Sequence, residues 1–270
     1  MASKVKLNNL IICKGDKVFP MGCDFTKLEK GDYLFLERFL DVTKANLFFA
    51  QSVILVEGDT ENILLPIIAD ILDKPLTKHD VSVVNVQSTA FLRYSKIFKR
   101  RSGEGMGVKV AVVTDNDIKY DSGFTQKQIN DRRTEKEEKY NGQDVTTFIS
   151  PDWTLEYDIA LSGLKKEFYT AVMRAEKIQN SDIYGLTPDK ITEVDKKAEA
   201  DFTAWASMHK TDQEIAKEIY EGYMLDKKIS KSIVAQCFTA LLKECEGIKE
   251  RIEVDKKLKY LVDAIKYVTE

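Results

Sequence analysis

The feature that most constrains the fold is a short run of branched apolar residues, Ser52–Val56 (SVILV), that stops abruptly at Glu57 and Gly58. Such an uninterrupted apolar run is typical of a strand that is buried on both faces of a parallel sheet. Thr60 and Glu61 then open an apolar stretch, and an acid in the first turn suits the positive end of a helix dipole. The sequence therefore predicts a strand, a tight turn and a helix, which is a unit of α/β folds.

The same pattern returns further along the chain and then stops. Residues 81–86 (VSVVNV) and 108–114 (VKVAVVT) are rich in valine, and a helical pattern over residues 90–98 separates them. After residue 157 the apolar positions follow helical spacing, without a further convincing strand. We therefore expect an α/β fold in which a Rossmann-like, mostly parallel sheet is flanked by helices, with an additional all-helical region.

Acidic side chains follow two of the predicted strands at the point where each strand ends. Glu57 leaves the first strand and Glu61 follows it in the helix, while Gly58 lets the chain reverse between them without a Cβ clash. Asp115 and Asp117 follow the other strand at i and i+2, so they point to the same side. If the two strands are neighbours, four carboxylates meet in one crevice and repel each other unless a cation or a proton lies between them. Oxygen ligands of this kind suit Mg²⁺ or Mn²⁺.

The overall charge gives little attraction for a polyanion, because 41 Lys and Arg stand against 44 Asp and Glu, for a net charge of -3. A nucleic-acid binder with this balance must concentrate its positive charge locally, although bound divalent cations would also reverse the local sign. The charged run RRTEKEEK at residues 132–139 is predicted to be a solvated face. The strongest basic cluster, for which nucleic-acid binding and an ordinary charged helix end are both open, comprises Lys96, Lys99, Arg100 and Arg101.

Several classes of protein are disfavoured by the remaining composition. The chain has 270 residues and is 43% hydrophobic, which is enough for a sizeable core. Its four cysteines and two histidines form neither a CxxC pair nor an HExxH motif, so we expect no zinc site or disulfide framework. We see no charged leader with an apolar segment, and no apolar run near the roughly 20 residues that a membrane span needs. We therefore expect a cytoplasmic protein without membrane contact.

Together these motifs resemble a known family. The glutamate turn VILVEGDTE and the acids at residues 115–117 look like the TOPRIM domain of topoisomerases, primases and related nucleases. The closer similarity is to the OLD (overcoming lysogenization defect) nucleases, because LDVTKANLFFA at residues 40–50 resembles the segment that leads into their TOPRIM domain. Thr154-Leu155-Glu156 resembles the third acidic motif of that family. SKSIVAQ at residues 230–236 resembles its late lysine motif, usually nearer to KGRFAQ, without the arginine and the phenylalanine.

The resemblance implies a role for each matching residue. Two ions, Mg²⁺ or Mn²⁺, would be held by Glu57, Glu61, Asp115, Asp117 and Glu156. Glu57 and Lys231 would be catalytic, with Lys231 stabilising charge on the phosphate in the transition state. Lys227 and Lys228 are the local alternatives to Lys231. Glu156 could also be an acid in a first helical turn that does no chemistry.

The activity that the resemblance implies is a DNA endonuclease that nicks and cleaves DNA by two-metal hydrolysis, in which water attacks phosphorus. Phage defence is the biological role suggested at the level of the family. Members usually carry an ABC-type ATPase ahead of the TOPRIM part, so such a domain is the implied partner, and this sequence has no GxxxxGK[ST] loop. The opening Met-Ala-Ser, followed by what resembles the linker out of the ATPase, favours an expressed carboxyl-terminal fragment over a naturally short form.

Alternatives from other functional classes remain open. A primase-like nucleotidyl transferase would use the same acids to position a nucleoside triphosphate, but we would expect it to bring a zinc-binding module, for which the cysteine spacing is absent. A non-catalytic TOPRIM module that binds nucleic acid or another partner would be expected to lack the acids, which are present. A topoisomerase is disfavoured, because none of the 11 tyrosines stands in a distinctive context.

The chain divides into four expected segments. Residues 1–50 form an amino-terminal hairpin, with its turn near Gly15, and a helical lead-in. Residues 51–157 form the TOPRIM catalytic domain, and residues 158–226 form a helical domain. Residues 227–270 are carboxyl-terminal helices that return to the TOPRIM domain with the late lysine motif.

Overall fold

A computed structural model of the protein describes residues 5–40, 44–87, 90–181 and 185–270. The chain opens with an antiparallel hairpin of β1 (Ile11–Lys14) and β2 (Lys17–Pro20), which confirms the predicted turn. Gly15 lies in that turn at φ 60°, a left-handed conformation that favours glycine. Residues 41–43, which belong to the segment that resembles the family's lead-in, lie outside the described residues.

Four strands form the central sheet. Their order is β4 (Val81–Asn85), β3 (Ser52–Val56), β5 (Lys109–Thr114) and β6 (Val145–Ile149). All three neighbouring pairs are parallel, which confirms the predicted α/β fold with a parallel sheet. Since β3 and β5 are direct neighbours, their carboxyl ends and the acids that follow them meet at one edge of the sheet.

Helices connect the strands, cover the sheet and make up the rest of the chain. They are α1 (Lys30–Phe39), α2 (Asp59–Ile71), α3 (Phe91–Ile97), α4 (Gln126–Tyr140), α5 (Leu155–Leu161), α6 (Lys165–Gln179), α7 (Pro188–Ser207), α8 (Asp212–Lys217), α9 (Lys231–Glu244), α10 (Ile248–Val254) and α11 (Lys259–Thr269). A π-helical segment, Glu218–Leu225, continues α8. Within the described ranges, no helix combines the length and the apolar character needed to cross a membrane.

Successive residues of β3 point into two different cores, which explains why the strand is apolar without interruption. Val53 and Leu55 pack on the face that is covered by the hairpin, α1 and α3. Ile54 packs on the opposite face, in a core that also contains Phe168 of α6 and Leu261 of α11. The additional helices therefore share a core with the sheet. Each fully buried aliphatic side chain of this kind stabilises the fold by roughly 1.5–3 kcal/mol.

Candidate functional site

A cleft of about 380 Å³ opens at the carboxyl ends of β3 and β5. Its walls come from four separate parts of the chain: the β3–α2 turn, the end of β5, the first turn of α5 and the start of α9. The lining residues are Glu57, Gly58, Asp59, Thr60, Glu61, Asp115, Glu156, Ser230, Lys231 and Ser232. Four of the five predicted metal ligands thus face one cleft together with the predicted catalytic lysine, while Asp117 does not line it.

Glu61 is an almost fully buried acid, with 6% of its surface exposed. Burial, followed by the charge of Glu156, raises the pKa of the Glu61 carboxyl to about 7. Gly58 makes room for this carboxyl, because a Cβ at residue 58 would lie 3.1 Å from Glu61 Oε2. The backbone of Gly58 is extended at φ -136°, so the site requires its small size rather than an unusual torsion.

Asp115 joins the end of β5 to the start of α5. Its Oδ1 accepts a hydrogen bond of 2.9 Å from the backbone amide of Leu155. Burial, followed by the charges of Glu61 and Glu156, raises the pKa of Asp115 well above its usual range. Acids with raised pKa values at one place indicate electrostatic repulsion that a proton or a cation would relieve.

Glu156 connects three parts of the chain that are distant in sequence. Glu156 lies in the first turn of α5, and 3% of its surface is exposed. The hydroxyl of Thr60 donates to its Oε1 at 2.8 Å, and Lys231 Nζ donates to its Oε2 at 2.8 Å. Burial is the largest single influence and lowers the pKa of Lys231, but the charges of Glu156, Tyr220 and Asp115 and the hydrogen bond to Glu156 together raise that pKa above its ordinary value. The Lys231 side chain therefore stays charged while it faces the cleft.

Glu57 and Asp117 form the outer part of this acidic edge. Glu57 is half-buried, and burial followed by the charge of Asp117 raises the pKa of its carboxyl. The Asp117 side chain is 63% exposed and pairs with Lys136 Nζ at 2.6 Å. Asp117 also has a positive φ of 61°, which non-glycine residues rarely adopt. Asp59 also lines the cleft, and its Oδ1 accepts a hydrogen bond of 2.8 Å from Asn85 Nδ2.

The donor set suits a divalent cation, since it consists of carboxylate oxygens that repel one another at the end of a sheet. Across the part of the chain that the structure describes, no three acidic, histidine or cysteine side chains are already drawn together around a single point.

Comparison with known proteins decides the family of the central part of the chain. Residues 48–117 match a family model described as the TOPRIM domain of overcoming lysogenization defect protein-like sequences. The chain contains an OLD-like TOPRIM domain. The expected resemblance is therefore confirmed, and the match includes the glutamate turn and both aspartates, whereas Glu156 and Lys231 lie beyond it.

Two solved structures with similarity to this chain are C-terminal regions of OLD proteins. The C-terminal region of the Burkholderia pseudomallei OLD protein is 20% identical, with a TM-score of 0.45, over 80% of this chain and 99% of that chain. The C-terminal region of the Xanthomonas campestris pv. campestris OLD protein is 21% identical, with a TM-score of 0.45, over 82% of this chain and 96% of that chain. A search of curated proteins found no match.

Two residues near the TOPRIM acids were missed in the sequence, because the run RRTEKEEK was expected to be solvated. Arg133 donates to the carbonyl oxygen of Ser150 at 3.1 Å, and Lys136 binds the turn after β5. The less exposed positions of α4 recur at helical spacing and are Ile129, Arg133, Lys136, Glu137 and Tyr140. That stripe was the signal that the charged run has an inward face.

The side chains of the predicted nucleic-acid-binding cluster bond to other parts of the fold. Its members are Lys96, Lys99, Arg100 and Arg101. Lys99 and Arg100 are each 5% exposed, and they donate to the carbonyl oxygens of Asn141 at 3.1 Å and Pro20 at 2.8 Å. Lys96 pairs with an aspartate at 3.0 Å, and Arg101 donates to two backbone carbonyls. Lys99 and Arg100 therefore offer little open surface, because long side chains bury their stems and reach buried oxygens, and nucleic-acid binding by the cluster stays a prediction.

Proposed function

We propose that the protein is a divalent-metal-dependent DNA endonuclease that nicks and cleaves DNA by hydrolysing phosphodiesters. A role in the TOPRIM nuclease family is supported by the domain match over residues 48–117. The observation that most supports DNA cleavage is the convergence of acids and a charged lysine on a single cleft at the carboxyl edge of the sheet. Open α/β sheets bind their ligands at this edge.

Five acids would hold two Mg²⁺ or Mn²⁺ ions in this proposal. Glu61, Asp115 and Glu156 form an inner group, and Glu57 with Asp117 forms an outer group. When bound, such ions supply a more acidic water and stabilise negative charge on the phosphate. The inner group is the more buried of the two, and the raised pKa values of Glu61 and Asp115 support a gain from a cation placed there.

The chain's own residues would then position and neutralise the substrate. Lys231 keeps a protonated ammonium at the cleft, from which it can donate to a phosphate oxygen as negative charge develops. Thr60 fixes the Glu156 carboxylate that holds this lysine in place. Glu57 lies at the rim with a raised pKa, which makes it suited to accept a proton from water near neutral pH.

The substrate and the partner in this proposal come from the family resemblance of the sequence. DNA is the polyanion that a TOPRIM nuclease of the OLD type would cut. An ABC-type ATPase domain is the expected partner, and phage defence is the expected biological role.

Supercoiled plasmid tests the proposal directly. The purified chain is incubated with plasmid in Mg²⁺, Mn²⁺, Ca²⁺ or EDTA, beside Glu61→Gln and Asp115→Asn. The matched control is Asp70→Asn, which changes an exposed acid at the other end of α2. We expect nicked and linear products that require the metal, and at least a 100-fold loss in both site variants while the control cuts normally. Cleavage in EDTA, or equal cleavage by folded site variants, would refute the proposal.

A further inference from the structure

The side chain of Lys136 binds the turn that follows β5 and places a positive charge there. Its Nζ donates to the carbonyl oxygen of Asp115 at 2.6 Å and to Asp117 Oδ2 at 2.6 Å, and the carbonyl oxygen of Asn116 lies at 3.4 Å. An ammonium group has three donors, so these three oxygens use all of them. The three oxygens of the turn therefore bind the ammonium group of Lys136.

The ammonium is held firmly from the α4 side. Arg133, one turn earlier on the same helix, donates to the carbonyl oxygens of Ser150 at 3.1 Å and Ile149 at 3.3 Å. Tyr140, one turn later, is 5% exposed. The Lys136 side chain itself is only 27% exposed. Because its helix is anchored on both sides, the charge cannot move far from the acidic edge.

The backbone of Asp117 is fixed as well. Its amide donates to the carbonyl oxygen of Trp153 at 3.0 Å, and its φ of 61° is set by that bonded turn. The Asp117 carboxylate can therefore leave Lys136 only by rotation of its own side chain. Lys136 therefore holds the one TOPRIM aspartate that does not line the cleft, at the end of the strand that also carries Asp115.

We propose that Lys136 competes with a divalent cation for Asp117 and thereby makes the two metal positions unequal, an inference that rests on the proposed function. The inner group has three carboxylates and one ammonium, that of Lys231, for a net charge of -2 when all are ionised. The outer group has two carboxylates and the ammonium of Lys136, for a net charge of -1 when all are ionised. A cation at the outer position must also break an ion pair of 2.6 Å.

The competition makes the outer position the weaker one and the last to fill. The positive charge of Lys136 stays near Asp117 after the ion pair opens, because two backbone carbonyls still hold it. The remaining repulsion lowers the affinity of the outer position further. The site therefore carries one tightly held cation at moderate metal concentration and gains the second only as the concentration rises.

Calorimetric titration with Mn²⁺ tests this inference without any measurement of activity. The variants are Lys136→Met and Lys136→Gln, of which the second can still donate to the turn carbonyls and so protects against loss of the fold. The matched control is Lys127→Met, which removes an exposed lysine from the first turn of the same helix. We expect both Lys136 variants to tighten the weaker site at least threefold and to leave the tighter site within twofold. The control should match the wild type.

An unchanged or weakened second site in both folded Lys136 variants would overturn the inference. If the wild type binds only one Mn²⁺ ion, binding of two ions by the Lys136 variants would support the inference, and binding of one ion by them would overturn it. Plasmid cleavage by the same samples separates the possible failures. A protein that cuts DNA but whose weaker site ignores the substitutions overturns this inference alone, whereas a protein that binds no Mn²⁺ and does not cut overturns the proposed function as well.

Discussion

Replacing Glu61 by glutamine tests the electrostatic repulsion that the cleft holds in the absence of metal. Burial and the neighbouring Glu156 raise the pKa of Glu61 from 4.5 to about 7. The folded protein therefore binds this proton more tightly than the unfolded chain does. The resulting stabilisation is complete below pH 4.5 and is lost as the pH rises through about 7. Glutamine has the same shape without the charge, so it avoids this loss.

The size of the effect follows from the two pKa values. The pKa of Glu61 is 4.5 in the unfolded chain and about 7 in the folded protein, and each pKa unit corresponds to about 1.4 kcal/mol. Ionisation of Glu61 therefore lowers the free energy of unfolding by roughly 3 kcal/mol at pH 8. At pH 5 the same difference contributes less than about 1 kcal/mol, because the unfolded carboxyl is still partly protonated. For a chain of this size the change at pH 8 raises Tm by roughly 5–10 °C.

Thermal unfolding in EDTA at pH 5 and pH 8 measures this effect. The wild type is compared with Glu61→Gln and with Glu138→Gln, which changes an exposed acid on α4. We expect Glu61→Gln to be more stable than the wild type at pH 8 and nearly equal to it at pH 5. Added Mg²⁺ at pH 8 should stabilise the wild type more than the variant. Equal stability at pH 8, or a gain of the same size at both pH values, would refute the electrostatic reasoning.

Other substitutions test separate parts of the site and of the fold. Lys231→Met should lower plasmid cleavage at least 100-fold without weakening Mn²⁺ binding, whereas Lys228→Met should cut normally. Normal cleavage by Lys231→Met and loss of cleavage in Lys228→Met would make Lys228 the catalytic lysine. Gly58→Ala should weaken Mn²⁺ binding several-fold, because its methyl would lie 3.1 Å from Glu61 Oε2, and an unchanged affinity would contradict that role for the glycine. Lys99→Met should lower Tm by several degrees and leave DNA affinity unchanged. A salt-dependent loss of DNA binding at unchanged Tm would support the basic-patch hypothesis.

The strands that position the acids could be predicted from local sequence. β3 and β5 are uninterrupted apolar runs, and successive residues such as Ile54 and Leu55 point into separate cores. A strand with two buried faces belongs inside a parallel sheet, so acids directly after it must lie at the ligand-binding edge. Glu57 and Asp115 were therefore expected to meet, and both line the cleft.

The remaining parts of the site depend on contacts that no local pattern encodes. Lys231 bonds Glu156 from 75 residues away, and only the family resemblance pointed to it. Lys136 looked solvated because a charged sequence hides the inward stripe of a helix. Lys99 and Arg100 looked like a phosphate-binding patch for a related reason, since charge says nothing about where a long side chain ends. Backbone carbonyl oxygens, which the sequence does not reveal, hold the charged ends of Lys136, Lys99 and Arg100.

In the function proposed above, the cleft at the ends of β3 and β5 holds divalent cations on its carboxylates. Crystals soaked in Mn²⁺ and measured near the manganese absorption edge test it most directly. We predict two anomalous peaks between the carboxylates, the stronger beside Glu61 and Asp115 and the weaker beside Glu57 and Asp117. A map with no anomalous peak in this cleft, from crystals in which the cleft is open to solvent, would contradict the claim.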